Sequence, residues 1–508
     1  MSSRRTWLWA VLLGAAAVAV TVIALASDLG TDPETRQGPP GFRNANPERK
    51  PLIFDIGGLT IDPNLRVDAL AEARRMGTDA LRVLVPWRTV APEERPAGFD
   101  PTDPADPDYD FTVFDALLEQ AQRRDMKVLM TPTNPAPDWA AAPGSGGVSD
   151  PDPKQYGEFV SALAKRYNGH YDPDGPGGSD RTLPRVAIWS VWNEPNLSSF
   201  LEPQYRHGRP YSPLLYRKLY LAAQDAIEAA QPGAPILFGE TGPTGGMRSV
   251  SPIEFARGAL CLDANYDTEE NCPRADDDID AVGWATHPYS LSAQPPFEPV
   301  TNKNYVTMSS LGTLADTLDG AADADAIDSD LPIYITEFGV QSRPDPNAGV
   351  TLDHQAEYLA IAEQIAYADP RVVTFAQYLL RDDPPEAVPG VEFGGFESGL
   401  RFYDGRPKPA LAGFVLPLAV QRLGERVSLW GITQPYPGSS SVTVRYKDPG
   451  EPVRDLRTVT TSAGGVYSFT SAYRHGRIWE AVWNAPTDGK VHRSPWVRSY
   501  QYAQPDTG

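Results

Sequence analysis

The sequence predicts an α/β fold: a (β/α)8 TIM barrel, with an N-terminal membrane-targeting helix and a small C-terminal antiparallel β-sandwich domain. Between residues 51 and 422, short apolar runs alternate eight times with stretches whose apolar residues recur at helical spacing. The short runs are almost continuously apolar, as expected for parallel strands that helices cover. After residue 423 short strands follow one another between Gly, Pro and Asn turns, which is typical of antiparallel sheets.

Each predicted strand is a short run that the following helix can cover. The eight predicted strands are Leu52–Gly57, Ala80–Pro86, Lys127–Thr131, Val186–Val191, Ile236–Gly239, Ala281–Ala285, Ile333–Thr336 and Val372–Tyr378. Amphipathic helices are predicted at Arg66–Met76, Val113–Arg124, Tyr156–Tyr167, Pro213–Ala230, His354–Tyr367 and Pro409–Leu418. Eight such units over about 370 residues match a barrel with enlarged loops.

A doubly wound open sheet is the alternative fold for this region. Such sheets usually have fewer strands, and the nucleotide-binding ones carry a Gly-rich phosphate loop after the first strand. No such loop follows the first strand here. The sequence therefore favours the closed barrel, and we expect neither a cofactor nor a metal ion.

The C-terminal region, residues 423–508, is predicted to be a β-sandwich accessory domain. Its strands are predicted at Val427–Ile432, Val442–Tyr446, Leu456–Thr461, Val466–Thr470 and Ile478–Trp483. Its four tryptophans, Trp430, Trp479, Trp483 and Trp496, either fill the sandwich or form a row of exposed rings that binds glycan. We expect them to fill the sandwich, which would then stabilise the barrel.

The N-terminal segment, residues 1–27, has the features of an export signal. Arg4 and Arg5 precede 20 uncharged residues, from Trp7 to Ala26, and a helix of that length spans about 30 Å of hydrocarbon. The length favours an uncleaved anchor, whereas Ala24-Leu25-Ala26 is typical of a cleaved signal peptide. Both alternatives place the rest of the chain outside the cytoplasm, because the arginines stay inside. Residues 28–50 are predicted to be a flexible tether.

The net charge and its distribution limit the kinds of molecule that the chain is expected to bind. The chain has 45 basic and 66 acidic side chains, a formal net charge of −21, and both of its ends are slightly basic, so the middle is strongly acidic. We therefore expect no nucleic-acid partner and contact with the membrane only through the N-terminal helix. An acidic middle favours a neutral ligand.

The two cysteines fit an exported protein. Cys261 and Cys272 have ten residues between them and could close one small loop with a disulfide, which would stabilise the fold by about 2–3 kcal/mol. Two cysteines without clustered histidines do not make a zinc site. The disulfide is predicted to be structural.

Two glutamates follow predicted strands of the barrel. Glu194 comes after strand four, and Glu337 comes directly after strand seven. A carboxylate beside an apolar strand costs several kcal/mol when it is left unpaired, and the ends of barrel strands are where catalytic residues lie. Cleavage of a glycosidic bond needs such a pair, one group as proton donor and the other to stabilise or trap the oxocarbenium-like centre.

The segments around these glutamates resemble the paired signatures of clan A glycoside hydrolases, most nearly families 5 and 39. The segments are Trp192-Asn193-Glu194-Pro195 and Ile335-Thr336-Glu337-Phe338-Gly339. The resemblance spans roughly residues 51–422. It implies a retaining (β/α)8 glycosidase with Glu194 as general acid/base and Glu337 as nucleophile.

The resemblance also implies roles for residues on other strands. Arg82, late on strand two, resembles the arginine that hydrogen-bonds the nucleophile in these enzymes. Tyr289 resembles their strand-six tyrosine, and Asn193 matches the residue that contacts the sugar 2-hydroxyl.

Other polar residues at predicted strand ends have two interpretations each. His287 and Asn134 are candidates for substrate contact or for a structural role in their loops. Glu240, after strand five, is the main rival carboxylate and could be a substrate ligand. Trp87 and Trp139 follow strands two and three, where their rings could stack on the apolar face of a sugar.

Strand eight departs from the clan pattern. Clan members commonly carry a tryptophan at the end of this strand, whereas here the strand ends at Gln377 and Tyr378. Either residue could replace it. The reaction class is unaffected, but the shape of the sugar subsite is not given by the resemblance.

The sequence therefore predicts an exported retaining glycosidase that acts on a neutral β-linked glycan. Two alternatives stay open. A transglycosylase would use the same two glutamates with a sugar as acceptor, and a non-catalytic envelope protein would bind glycan without cleaving it. The presence of both glutamates together with Arg82, Asn193 and Tyr289 favours an enzyme.

Overall fold

The structure is a computed structural model that describes residues 39–42, 48–60, 62–175, 178, 181–269, 272, 277–435 and 438–502. The predicted N-terminal targeting helix and most of the tether lie outside these residues. Among the helices of the described part, none has both the length and the hydropathy needed to cross a membrane.

Eight parallel strands close into a barrel, as the sequence predicts. In chain order the strands are β1 (Leu52–Asp55), β2 (Ala80–Pro86), β3 (Lys127–Thr133), β4 (Ile188–Ser190), β5 (Ile236–Thr241), β6 (Gly283–Thr286), β7 (Ile333–Ile335) and β8 (Val372–Tyr378). Each strand pairs with the next in sequence, and β8 pairs with β1 to close the ring. The carboxyl ends of all eight strands therefore open at one mouth.

Helices connect the strands and surround the barrel. They are α1 (Pro63–Arg75), α2 (Thr112–Gln122), α3 (Pro153–Arg166), α4 (Ser212–Ala230), α5 (Pro252–Ala259), α6 (Leu311–Asp323), α7 (Leu352–Ala368) and α8 (Pro409–Val415). Several begin with a proline after a capping residue. The Asp62 side chain accepts from the N–H groups of Asn64 and Leu65, and Asp152 caps α3 in the same way.

The boundary between the two domains lies earlier than the sequence predicted. Helix α8 ends at Val415, and a new strand, β9 (Leu418–Leu423), belongs to the C-terminal domain. The expected helix to Leu418 was therefore too long. The physical reason is Pro417, because a residue before proline is disfavoured in helical conformation and proline has no N–H to donate.

The C-terminal domain consists of two antiparallel sheets. Its further strands are β10 (Arg426–Ile432), β11 (Ser441–Lys447), β12 (Arg454–Thr460), β13 (Val466–Ala472), β14 (Ile478–Asn484) and β15 (Val491–Arg493). One sheet has the order β9-β10-β13, and the other has the order β12-β11-β14-β15. Trp479 and Trp483 are fully buried between the sheets, so neither presents a face to glycan.

The C-terminal domain packs against helix α7 of the barrel. Ile361 on α7 is buried in one apolar cluster with Trp430, Ile432 and Tyr500. The contact covers Trp430, which is 7% exposed, while Trp496 is half-buried. The domain thus covers part of helix α7, and its Tyr500 also stacks on Phe297 in the loop that follows β6.

Cys261 and Cys272 form a disulfide, with 5.5 Å between their Cα atoms. The bond closes the loop that follows α5. It lies outside the barrel mouth, which agrees with a structural role.

Candidate active site

The two glutamates that the sequence singled out meet at the barrel mouth. Glu194 follows β4 and Glu337 follows β7, and both are almost buried, at 9% and 8% exposure. His287 Nδ1 lies 3.1 Å from Glu194 Oε1 and 3.9 Å from Glu337 Oε2. The sum of the two distances limits the separation of these carboxylate oxygens to about 7 Å.

Arg82 donates hydrogen bonds to three other residues at the centre of the site. It lies on β2 with its side chain fully buried, and its Nη1 donates to Glu337 Oε2 at 2.5 Å. Its Nη2 donates to Asn193 Oδ1 at 2.7 Å and to Glu240 Oε2 at 2.8 Å. A buried guanidinium at hydrogen-bond distance favours the ionised form of the Glu240 carboxyl group, in a place where burial alone would neutralise it.

Glu337 is held by donors on both oxygens. Besides the bond from Arg82 to Oε2, the hydroxyl of Tyr289 donates to Oε1 at 2.7 Å. Burial, together with the Glu337 charge, keeps the pKa of Tyr289 well above its usual range, so the phenol remains a donor.

Glu194 has a different partner. Its Oε1 faces His287 Nδ1, a group that can either give or accept a proton. The other ring nitrogen, Nε2, lies 2.8 Å from Glu240 Oε2. Glu194 is thus coupled to a titratable neighbour, whereas Glu337 is held by a permanent cation and a phenol.

The pKa values of His287 and Glu240 move in opposite directions. Burial opposes protonation of His287, but the negative charge of Glu337 and the hydrogen bonds with Glu194 and Glu240 outweigh it and raise the His287 pKa to about 9. Burial also opposes ionisation of Glu240, but the Arg82 charge and the His287 hydrogen bond lower its pKa to about 2.

The backbone around the site is locally strained. Trp192, Glu194 and Glu240 have φ angles of 63°, 41° and 51°, in the left-handed region that non-glycine residues rarely adopt. Glu240 sits where the pairing of β5 with β6 shifts register between Gly239 and Thr241. Such a bulge re-aims a side chain, and here it accompanies a Glu240 carboxylate that is turned into the barrel.

The two strained segments are tied to each other. The Glu194 N–H donates to the Glu240 carbonyl at 2.9 Å. Asn196 is completely buried, accepts from the Gly242 N–H at 2.8 Å, and donates to the carbonyls of Thr244 and Val250. The loop that carries Glu194 is therefore fixed to the loop that follows β5.

A cavity of about 260 Å³ opens beside Arg82. Its walls include Asp55 at the end of β1, Leu84 on β2, Phe114 on α2 and Tyr378 at the end of β8. Burial raises the pKa of Asp55 to about 6, although the charge of Arg82, 3.8 Å away, opposes the rise. The cavity combines apolar walls with carboxylate and phenol groups, as small-molecule sites commonly do.

The structure brings most of the expected residues together, but it separates the tryptophans from them. Trp87 is completely buried and stacks on Phe159 with 5.2 Å between ring centroids, so it belongs to the core and is not a sugar platform. The expectation for Trp87 was wrong because the chain turns into a short helix, Trp87–Val90, at this residue, and the ring packs against Phe159 of α3.

Trp139 and Asn134 lie in the loop after β3, outside the hydrogen-bonded group. Trp139 is half-buried, donates from its ring nitrogen to the Pro92 carbonyl at 2.8 Å and has Arg95 over its ring. Asn134 accepts from Thr133 at 2.9 Å. Neither contact reaches the two glutamates, and a sugar-binding role for Trp139 and Asn134 stays a prediction.

Two residues of the site were not identified from the sequence. Asp55 stands at the end of β1, and the strand-end rule that selected Glu194 and Glu337 would have selected it too. Asn196 has no such signal, because its contacts are to backbone groups of another loop. Within the described residues, no group of three or more His, Cys, Asp or Glu side chains is arranged to hold a metal ion.

Comparison with known proteins gives structural similarity only. No protein-family model matches the sequence, and no curated protein matches it. A glucosidase from Croceicoccus marinus is 12% identical, with 84% of this chain and 91% of that chain covered and a TM-score of 0.48. A family 39 glycoside hydrolase from Bacteroides cellulosilyticus is 16% identical, with 84% and 82% covered and a TM-score of 0.49. A monomeric β-xylosidase from Caulobacter crescentus is 15% identical, with 91% and 98% covered and a TM-score of 0.49.

Proposed function

We propose that this protein is a retaining glycoside hydrolase that cleaves β-linked O-glycosidic bonds in a neutral poly- or oligosaccharide. One observation carries the proposal: Glu194 and Glu337 share the barrel mouth within about 7 Å and have unlike environments. Cleavage by double displacement needs one carboxyl group that exchanges a proton and one carboxylate that does not. The contacts of Glu194 and Glu337 divide in this way.

In the first step, Glu337 attacks the anomeric carbon while the bond from this carbon to the leaving oxygen breaks. Glu194 gives its proton to that oxygen, and a covalent glycosyl–Glu337 ester forms. In the second step, Glu194 takes a proton from water, the water oxygen bonds to the anomeric carbon, and the ester bond breaks. The sugar is released with its original configuration, and both carboxyl groups return to their starting states.

The limit on the carboxylate separation favours this course over single displacement. Retaining enzymes place the two carboxyl groups about 5–5.5 Å apart, whereas inverting enzymes need about 6.5–9.5 Å to admit a water between them. A limit of about 7 Å between Glu194 Oε1 and Glu337 Oε2 admits the retaining spacing and reaches only the lower end of the inverting range.

Neighbouring groups support the charge changes at Glu337. Arg82 and Tyr289 both donate to its carboxylate, so they stabilise the ion before attack and the departing carboxylate in the second step. The oxygen of Asn193 is bound by Arg82, which leaves the amide nitrogen to donate to a sugar hydroxyl.

The charge of the mouth supports a neutral substrate. Asp55 and Asp110 line the cavity beside the site, and Arg82, the cation among its lining residues, is already bound to Glu240 and Glu337. A substrate carboxylate placed here would face like charges. Export through the N-terminal segment is part of the same proposal and rests on the sequence alone.

The nucleophile assignment is tested by Glu337→Ala. A panel of 4-nitrophenyl β-glycosides identifies a substrate for the wild type, and the variant should then lose at least about 10⁴-fold in kcat. Added azide can occupy the space left by the carboxylate, and we expect it to give the glycosyl azide of inverted configuration, detected by NMR. A retained azide product, or turnover close to wild type, would contradict the assignment.

The acid assignment is tested by Glu194→Ala. Dinitrophenyl glycosides need little protonation of the leaving group, so their first step should be nearly unaffected, while alkyl glycosides should lose about 10²–10⁴-fold in kcat/KM. Glu363→Gln, a change at a buried glutamate outside the site, is the control for nonspecific damage. Equal losses with both leaving groups would count against Glu194 as the acid.

A further inference from the structure

Glu240 is a buried carboxylate that the proposed reaction does not use directly. Its side chain is completely buried, and one oxygen (Oε1) has no hydrogen-bond partner among the described residues. Arg82 Nη2 and His287 Nε2 each lie 2.8 Å from Oε2, and the Thr336 hydroxyl donates to it at 3.3 Å. Burying a charge in a strained backbone position costs free energy, so such a residue is a candidate for a functional role.

The hydrogen-bond pattern fixes the proton on one ring nitrogen of His287. Arg82 Nη2 has two hydrogens, and both are used, one by Asn193 Oδ1 and one by Glu240 Oε2. Arg82 therefore has no hydrogen to donate to His287 Nε2, although the two atoms are 3.2 Å apart. The 2.8 Å contact between Nε2 and the Glu240 carboxylate then requires that Nε2 carries a hydrogen.

With Nε2 protonated, one proton lies between His287 Nδ1 and Glu194. Either neutral Nδ1 accepts from a protonated Glu194, or protonated Nδ1 donates to a Glu194 carboxylate. In both cases a single proton bridges the two groups. This shared proton is the one that the leaving group would receive.

We propose that Glu240 is a positioning residue that, through His287, keeps this shared proton in place for Glu194. The proposal rests on the assignment of Glu194 as the acid. It assigns Glu240 a role that acts through His287, whereas a substrate ligand would act by direct contact with the sugar.

The charges around His287 give the sign of the effect. Glu240, Glu194 and Glu337 approach the ring from the β5, β4 and β7 ends, and Arg82 approaches it from β2. Loss of the shared proton makes the pair more negative, so the negative charge of Glu240 resists that loss and Arg82 favours it. Removing the Glu240 charge should therefore release the proton at lower pH.

Glu240→Gln is the direct test, because it keeps the shape and an acceptor oxygen but removes the charge. We expect the alkaline limb of kcat/KM for an alkyl β-glycoside to move down by about one to two pH units, which lowers the rate well above the wild-type limb about tenfold for each unit. A dinitrophenyl glycoside, which needs little acid, should change less than about threefold. Glu240→Asp, which keeps the charge, should restore much of the alkaline limb.

Two matched measurements separate positioning from a structural role. Glu363→Gln makes the same chemical change at another buried glutamate and should leave the pH profile unchanged. A loss in Glu240→Gln that is equal at every pH and for both leaving groups would overturn the proposal.

A second readout does not depend on turnover. Side-chain ¹H–¹⁵N NMR of the histidines, with His287 assigned as the signal absent from His287→Asn, reports its tautomer and pKa. We expect the Nε2–H form in wild type and a His287 pKa at least about one unit lower in Glu240→Gln. An unchanged titration would overturn the proposal. If the wild type cleaves no glycoside but the His287 signals behave as expected, the proposed function fails while the link between Glu240 and His287 stands.

Discussion

The barrel mouth and the contact between the two domains each bury a glutamate, and the two behave in opposite ways. At the mouth, Glu240 touches Arg82 and His287, and its pKa is lowered to about 2. At the domain contact, Glu363 on α7 accepts a hydrogen bond from the neutral amide of Gln434 at 2.9 Å, and burial raises its pKa to about 8. Both carboxyl groups are buried, so burial alone does not decide their charge.

The difference shows that the pKa of a buried carboxyl group in this protein depends on the charge and distance of its nearest partner. Arg82 compensates Glu240 at direct hydrogen-bond distance, whereas at Glu363 the charge of Arg49 acts against burial and is outweighed by it. Asp55 is intermediate, with Arg82 at 3.8 Å and a pKa of about 6. At the barrel mouth the buried Glu240 is therefore ionised, whereas at the domain contact the buried Glu363 keeps its proton at neutral pH.

The largest effect should follow removal of the compensating cation. Arg82→Met removes the cation that hydrogen-bonds both Glu240 and Glu337. We expect the free energy of unfolding to fall by about 3–5 kcal/mol at pH 8. Activity should be lost at the same time. At pH 5 the loss of stability should be smaller, because the orphaned carboxyl groups take up protons more easily. Urea unfolding at both pH values measures this, and equal losses would show that charge compensation is not what Arg82 provides.

Glu363→Gln should raise the stability of the protein at pH 8, whereas Arg82→Met should lower it. A carboxyl group whose pKa is raised in the folded state keeps a proton that the unfolded chain releases, so wild-type stability falls as pH rises from about 4.5 towards about 8. The variant lacks this dependence and should be more stable at pH 8, by on the order of 1–3 kcal/mol, and unchanged at pH 4. Thermal unfolding across this range is the measurement. A variant that is less stable at pH 8 would mean that the Glu363 carboxylate is compensated after all.

Asp55→Asn should show the smallest change in stability. The Asp55 pKa of about 6 in the folded protein lies above its ordinary value of 3.8, so wild-type stability falls as the pH rises from about 3.8 to about 6. The variant should therefore be more stable at high pH, as for Glu363→Gln. Because the pKa of Asp55 is raised by about two units and that of Glu363 by about three and a half, we expect a gain at pH 8 of about two thirds of that for Glu363→Gln, and none at pH 3. Urea unfolding at these two pH values tests the ordering, and a gain larger than that of Glu363→Gln would reverse it.

Several features of the site could be read from the sequence because they are local. A glutamate after an apolar strand is visible in a linear chain, and the barrel rule sends all such strand ends to one mouth, which selected Glu194 and Glu337. Asp55 follows from the same rule. Trp87 shows the limit of the rule, because a residue just beyond a strand points outward when the chain turns at once into a helix.

The sequence by itself determined the eight barrel strands, the closed barrel, the separate antiparallel domain and the pair of glutamates, because hydrophobic periodicity and strand-end position are local properties. Only the tertiary structure decided what each carboxylate touches. The inward turn of Glu240 accompanies a bulge in β5, and the charges of Glu240 and Glu363 depend on Arg82 and Gln434, residues far away in the chain. Ionisation depends on distance in space, and a one-dimensional pattern does not contain those distances.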